Sequence, residues 1–316
     1  MLYYLLRRFT SLLLTLALSS IVIFMVMEIV PGDPALIILG IGATDETLAA
    51  LREQMGLNLP LMTRYIQWVS GFVVGDLGTS YTYSVPVSEL IAERSIVSLP
   101  LAIIALTLST LIAIPTGILA ASKRGQIADT GIMGLTQLGI AIPNFWFAML
   151  MVYVFAVILR WVPAGGFPGW DQGIFNALKS LALPAIALAL PQAAILSRVT
   201  RSALLEALGE DYIRTARAKG LTRSMVLWRH ALRNALIPVL TIMGLQFAFL
   251  LAGTIIIENV FYLPGLGRLI FQAITQRDLI VVESTVVLLV ASVIVINFLV
   301  DITYALVDPR LQSERS

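Results

Sequence analysis

Apolar residues along this chain come in long charge-free runs separated by shorter segments rich in charge, glycine or proline. The first run, residues 9–27, follows the basic start Tyr3-Tyr-Leu-Leu-Arg-Arg8. Ala17-Leu-Ser19 imitates a signal-peptide cleavage site, but the run continues beyond it and is long enough to span a bilayer, so it predicts an uncleaved first helix with its basic end in the cytoplasm. Five further charge-free runs, 95–122, 130–159, 180–197, 234–257 and around 284–300, predict five more spans. The expected fold is therefore an all-α integral membrane protein with six transmembrane helices and both termini cytoplasmic.

The segment between the first two spans has a different pattern. Residues 31–94 open with Pro31-Gly-Asp-Pro34 and read as a folded extracytoplasmic segment with helices of its own. Thr44 can cap a helix with Asp45 and Glu46 in its first turn, Leu48, Leu51 and Met55 on one face, and Gly56 as its end. A second amphipathic helix carries Tyr65, Ile66, Trp68, Val69 and Phe72 and stops at Gly75-Asp-Leu-Gly78. Its aromatic residues suit either the membrane interface or a small core packed on the bilayer surface. The organisation expected is a first span over 1–30, the outer segment over 31–94, a five-helix core over 95–308 that includes a cytoplasmic loop at 198–233, and a cytoplasmic tail over 309–316.

Composition agrees. The chain is 58% hydrophobic and 13% charged with mean hydropathy +0.90, outside the range of soluble domains. The net charge of +2 says little, whereas the placement of the charges says more. Of the 21 basic residues, fourteen, including Arg7, Arg8, Lys123, Arg124, Arg310 and Arg315, fall on the side assigned to the cytoplasm and seven on the other, which supports the orientation. With no cysteine there is no disulfide and no thiolate chemistry. Pro115, Pro143, Pro184, Pro191 and Pro238 lie inside spans and each invites a kink. No repeat relates the two halves, against a secondary transporter built from inverted repeats.

The densest charge lies in residues 198–233, with eight basic and three acidic side chains. Such a loop can rest on anionic headgroups. Yet Glu210 and Asp211 open a helical register from Tyr212 to Lys219, basic groups close it, and Gly220 stands where a helix stops. Tyr212, Ile213 and Ala216 alternate with Arg214, Arg217 and Lys219, the pattern of a short docking helix with an apolar ridge flanked by charge. There is no Gly-x-x-x-x-Gly-Lys-Ser/Thr loop for ATP and no His-Glu-x-x-His pair. The single histidine, His230, lies in this loop beside Arg229 and Arg233, so a serine–histidine dyad within the membrane is excluded.

Asp211-Tyr-Ile-Arg-Thr-Ala-Arg-Ala-Lys-Gly220, followed by His230-Ala-Leu-Arg-Asn-Ala-Leu-Ile-Pro238, resembles the coupling motif of the permease subunits of ATP-binding-cassette importers for peptides and nickel, specifically the B-type subunit of dipeptide and oligopeptide permeases. The broader Glu-Ala-Ala-x-x-x-Gly pattern falls on Arg214, Thr215, Ala216 and Gly220, so its glutamate and first alanine are absent here. Gly75-Asp-Leu-Gly78, Pro86-Val87, Ile142-Pro-Asn-Phe-Trp146, the stretch from Glu258 to Arg268 and Asp308-Pro309 extend the resemblance over nearly the whole chain.

The resemblance implies the type I importer permease fold, a second homologous permease subunit, one double or two separate cytoplasmic ATPases, and an extracytoplasmic substrate-binding protein. ATP and magnesium would bind in the ATPases, with no cofactor or metal held by this chain. Membrane lipid surrounds it, and no nucleic-acid partner is implied. Asp211, Tyr212, Ile213, Arg214, Thr215, Ala216, Arg217, Ala218, Lys219, Gly220 and Leu221 would form the helix that enters an ATPase groove. Glu28, Glu258 and Glu283, near the outer ends of their spans, are candidates for the substrate path, where acids favour a peptide amino terminus or a cation. A nickel or other small-solute importer of the same architecture, an ATPase-independent secondary transporter and a membrane scaffold are the alternatives.

Overall fold

The computed structural model describes residues 2–29 and 33–307; Pro31, Gly32 and the 309–316 tail with Arg310 and Arg315, together with Asp308, lie outside the described residues. The regular structure of the described residues is all helix apart from one isolated bridge between Thr79 and Pro86. Helix α1 (Leu2–Ile29) is the first span. Short helices α2 (Pro34–Leu39) and α3 (Asp45–Gln54) and the longer α4 (Leu61–Val74) make up the following segment. Thr44 caps α3 through the Thr47 amide at 3.3 Å, and α4 ends on Gly75 at φ +83°. Both boundaries obey local rules for caps and stops.

Helix α5 (Val87–Ser122) begins earlier than its charge-free stretch, carrying Glu89, Glu93 and Arg94 on its first turns. Helix α6 (Ile127–Ala141) and α7 (Asn144–Met151), the latter prolonged by a π-helical stretch Val152–Ile158, follow. The long α8 (Ile174–Gly209) leads into α9 (Asp211–Ala218). Then α10 (Arg223–Met225) passes through π-helical Val226–Ala231 into α11 (Leu232–Val260), and α12 (Leu266–Gln276) precedes α13 (Leu279–Val307).

Five of these helical stretches are long and apolar enough to cross a membrane, and α6 with α7 makes a sixth span when the bent pair is counted as one. The span expected over 130–159, with Pro143 inside it, is bent by 98°. Of the prolines within spans only Pro143 breaks its helix; Pro115, Pro184, Pro191 and Pro238 lie inside continuous helices. At the break, the residue before proline, Ile142, leaves the helical region at ψ 124°, as the proline ring demands.

Helix α8 is the axis of the bundle, with two-thirds of its apolar window buried, whereas α1 is almost wholly exposed. Leu181, Leu183, Ala185, Ala187, Leu188 and Ala189 of α8 pack against Val97, Leu101 and Ala105 of α5 and Leu250 and Ile257 of α11. Small residues at this seam let backbones approach closely. At Gly117 of α5 an added Cβ would stand 2.6 Å from Thr200 Cβ and 2.7 Å from the Ser197 carbonyl oxygen of α8.

Two ends of the bundle follow from contacts between connecting segments. At one, Gly166 donates to the Phe261 carbonyl at 2.8 Å, Trp170 to Ile96 at 2.9 Å, Ser284 to Leu77 at 3.0 Å and Ser80 to Asp278 at 2.5 Å. At the other lie the α5–α6 turn and α9. The segment 33–86 is thus at the end opposite α9.

Candidate functional site

Helix α9 is a separate, well-terminated unit. Helix α8 stops at Gly209, Glu210 is extended at ψ 152°, and its carbonyl accepts from Ile213 N at 3.1 Å to start the new helix. The Asp211 carboxylate suits the positive end of the helix and pairs with Arg214 at 3.1 Å. At the far end Gly220 takes φ +80°, its amide donates to Arg217 O at 2.9 Å, and Leu221 N donates to Ala216 O at 3.4 Å. This is a Schellman stop, in which the glycine occupies the left-handed position that side chains avoid. Leu221 packs in the same apolar cluster as Ala216, as that motif prefers. Thr222 then caps α10.

The apolar ridge expected for docking faces inward. Ile213 and Ala216 are buried against Ile118 and Ala121 of α5, Ala203, Leu204 and Ala207 of α8, and Val226, Ala231 and Ala235 on the way into α11. They seat α9 on three spans at once. What α9 presents outward is Tyr212, Arg214, Thr215, Arg217, Ala218 and Lys219, with Met225 and Trp228 exposed just beyond. Arg217 and Lys219 have no ion-pair partner among the described residues. His230 is half-buried in the π-helical stretch.

Beside this unit lies an ion pair that the sequence did not single out. Arg201 of α8 holds Asp129 at the start of α6 in a two-point grip, Nε to Oδ1 at 2.6 Å and Nη2 to Oδ2 at 2.8 Å. Asp129 Oδ2 also accepts from Gly125 N at 2.9 Å, closing the α5–α6 turn. One turn back along α8, Arg198 donates to Gln137 Oε1 at 2.7 Å, and Ser197 accepts from Thr116 of α5 at 3.0 Å. Arg198 and Arg201 read in sequence as loop charges; an acid three residues into a helix, after Lys123 and Arg124, was the available signal for a partner.

The three candidate acids are not gathered into one site. Glu28 and Glu283 share a cleft of about 460 Å³ with Asp33, Arg52, Arg64 and Tyr81, in which Arg64 pairs with Glu28 at 2.7 Å and Arg52 with Asp33. Arg52 holds the Asp33 carboxyl below the usual carboxylate range, and burial, with the Asp278 charge adding to it, pushes the Tyr81 phenol up. Glu258 lies apart, fully buried. It accepts from Ser98 Oγ at 2.5 Å and from the amides of Gly267 and Arg268 at 2.7 and 3.1 Å, at the first turn of α12. Its carboxylate is therefore a tie between α5, α11 and α12, placed where a helix N-terminus favours negative charge. A Cβ on Gly265 would collide with that carboxylate.

Known proteins resemble this chain along its whole length. The family described as "Binding-protein-dependent transport system inner membrane component" matches residues 113–313, and the N-terminal component of the same kind of system matches residues 1–102. The glutathione transport system permease protein GsiC of Salmonella typhi is 39% identical over 312 residues, covering 99% of each chain. A Brucella abortus (strain 2308) protein, provisionally described as a peptide transport system permease, is 43% identical over 307 residues, 97% of this chain and 98% of its own. Among solved structures, the inward-facing methionine ABC transporter MetNI shares the fold, with TM-score 0.58 at 22% identity over 69% of this chain and 96% of that one. A bundle of five long helices and one bent span, with a short terminated helix seated at one end, is thus matched in sequence across both halves, and the chain belongs to the family of inner-membrane permease components of binding-protein-dependent ABC transport systems.

Proposed function

We propose that this permease forms half of a translocation pathway for peptides, delivered by an extracytoplasmic binding protein and driven by ATP hydrolysis in cytoplasmic partner subunits. A second, homologous permease completes the pathway, and both termini of this chain are cytoplasmic, as the bias of basic residues supports. Peptides are favoured over nickel by the names of the full-length relatives, one of which transports glutathione, itself a tripeptide. Dependence on partner ATPases, rather than secondary transport, is supported by family membership.

The observation that carries the coupling role is α9 itself. A helix that served only as a basic loop on lipid needs no Schellman stop, and no seat against α5, α8 and the start of α11. Docking of its outward side, Tyr212 to Lys219, into an ATPase groove would move all three spans together. A ligand-driven switch requires that the docking surface bind the two ATPase states with different affinity, and a rigid, seated helix meets that need. Hydrolysis takes place in the partners, with ATP and magnesium bound there, and this chain acts without chemistry of its own.

The test is affinity purification of the chain from its native membrane followed by reconstitution. ATPase subunits should co-purify, and reversing the charges of Arg217 and Lys219 should release them while the permease pair stays together. Recovery of a pure permease complex that transports without any ATPase would sink the reading.

A further inference from the structure

Helix α4 lies beside the end of α1, and three of its side chains meet α1 at three heights. Arg64 pairs with Glu28 at 2.7 Å, the Trp68 and Tyr65 rings pack on Phe24 at 5.7 and 5.4 Å, and the Tyr65 hydroxyl reaches further to share a hydrogen bond with Ser20 at 2.9 Å. Arg64 and Tyr65 are sequence neighbours, about 1.5 Å apart along α4, yet their partners stand eight residues apart on α1, about 12 Å along its axis. Direction around α4, not position along it, accounts for that difference. Turning from Arg64 through Trp68 to Tyr65 descends α1 from its end into its charge-free run, where Ser20 lies seven residues, about 10 Å, inside Met27.

The next sector around α4 therefore faces further into hydrocarbon. At about 100° per residue that sector holds Met62, Ile66, Val69 and Val73, one stripe at spacings of four, three and four. Met62, Ile66 and Val73 are exposed by 68%, 58% and 80%. The side away from that stripe, turned toward water, holds Gln67 and Gly71, and Ser70, Thr63 and the exposed Val74 lie between the two. At the same height α1 shows its own open apolar surface, with Ile21, Val22, Met25 and Val26 exposed.

We propose that α4 is an interfacial helix whose Met62–Ile66–Val69–Val73 stripe is seated in the acyl chains of one leaflet, so that the segment between α1 and α5 is anchored in the bilayer. The occupant is lipid because the stripe continues the open apolar surface of α1 and bears no charge or hydrogen-bonding side chain, while a soluble binding protein would approach from the Gln67–Gly71 side. The depth matches that of amphipathic helices, about 5–10 Å below the headgroup boundary. Assignment to the outer leaflet rests on the orientation under Proposed function; the lipid seat does not.

The chain contains no cysteine, so single cysteines can be placed in the full-length protein without background. Met62→Cys, Ile66→Cys and Val73→Cys, with Gln67→Cys as the opposite face, would be labelled with an environment-sensitive nitrobenzoxadiazole dye. The permease complex would then be reconstituted in phosphatidylcholine/phosphatidylglycerol vesicles, with and without doxyl-labelled phosphatidylcholine. Dyes at 62, 66 and 73 should emit at shorter wavelength and be quenched by doxyl lipid but not by aqueous iodide, with the reverse at 67. Equal iodide quenching on both faces overturns the proposal, as does shielding at 62, 66 and 73 that appears only when the binding protein is added. Lipid quenching with iodide reaching 67 only from the cytoplasmic side of oriented membrane vesicles would retain the seat and overturn the orientation instead. No arm depends on transport.

Discussion

Arg201 grips Asp129 across α8 and α6 through two parallel hydrogen bonds of 2.6 and 2.8 Å, eight residues before α8 gives way to the link into α9. The bidentate geometry is the strong form of an arginine–carboxylate contact and fixes orientation as well as distance. It ties the bent α6–α7 span to the helix that leads into α9.

Asp129→Asn keeps the shape of the side chain and removes its charge. We expect the complex to assemble and hydrolyse ATP, with less substrate imported per ATP, and Asp129→Arg combined with Arg201→Asp to recover part of the loss. The check is the ratio of uptake to phosphate release in proteoliposomes; a normal ratio for Asp129→Asn would remove this pair from the coupling route.

Glu258 separates a packing role from a role in the substrate path. Its carboxylate accepts two backbone amides and one hydroxyl in a fully buried setting, and glutamine replaces one of those acceptor oxygens with a donor. Leaving a buried donor unmatched costs about 1–3 kcal/mol. Glu258→Gln should lower the thermal midpoint of the purified complex while leaving the substrate concentration for half-maximal uptake unchanged; an altered half-saturation with an unchanged midpoint would place Glu258 on the path.

Gly220 has open space where a Cβ would stand, so the cost of replacing it is conformational. Holding a branched residue at φ +80° costs about 1–2 kcal/mol, whereas asparagine tolerates that region better. Gly220→Val should weaken ATPase co-purification and Gly220→Asn much less, both with normal membrane insertion. Equal behaviour of the two variants would count against the glycine stop as the reason for this residue.

Asp33 provides a pH test outside the spans. It accepts from Ala35 N at 3.0 Å at the start of α2 and from Arg52 of α3, which lowers its carboxyl from the ordinary value of 3.8. A carboxyl lowered on folding contributes stability above its ordinary value and loses it as pH falls through the lower folded one. Hydrogen exchange at Ala35, corrected for the intrinsic pH dependence of exchange, should be unchanged from pH 7 to pH 5, and Asp33→Asn should accelerate it across that range. A loss of protection already at pH 5 in the native chain would contradict the clamp.

Much of the architecture was legible from short-range rules. Thr44 as a cap and Gly75 and Gly220 as stops depend only on the preferences of a few adjacent residues, and each stands where those preferences put it. The spans were legible too, because hydrocarbon forces every backbone polar group into helical pairing and charge-free length is then enough. The prolines were less so: five looked alike in sequence, but only Pro143 breaks a span, since the surrounding helices determine whether a lost hydrogen bond becomes a bend.

By itself the sequence determined an all-helical membrane chain with a short, well-terminated helix in its basic loop. The tertiary structure alone decided what each side of that helix does, turning Ile213 and Ala216 inward and leaving Tyr212, Arg217 and Lys219 outward. It alone brought together Asp129 with Arg201 and Ser98 with Glu258, partners 72 and 160 positions apart. The reason is physical: helix periodicity and caps are local properties of the chain, whereas burial and ion pairing depend on which helices become neighbours when the bundle packs.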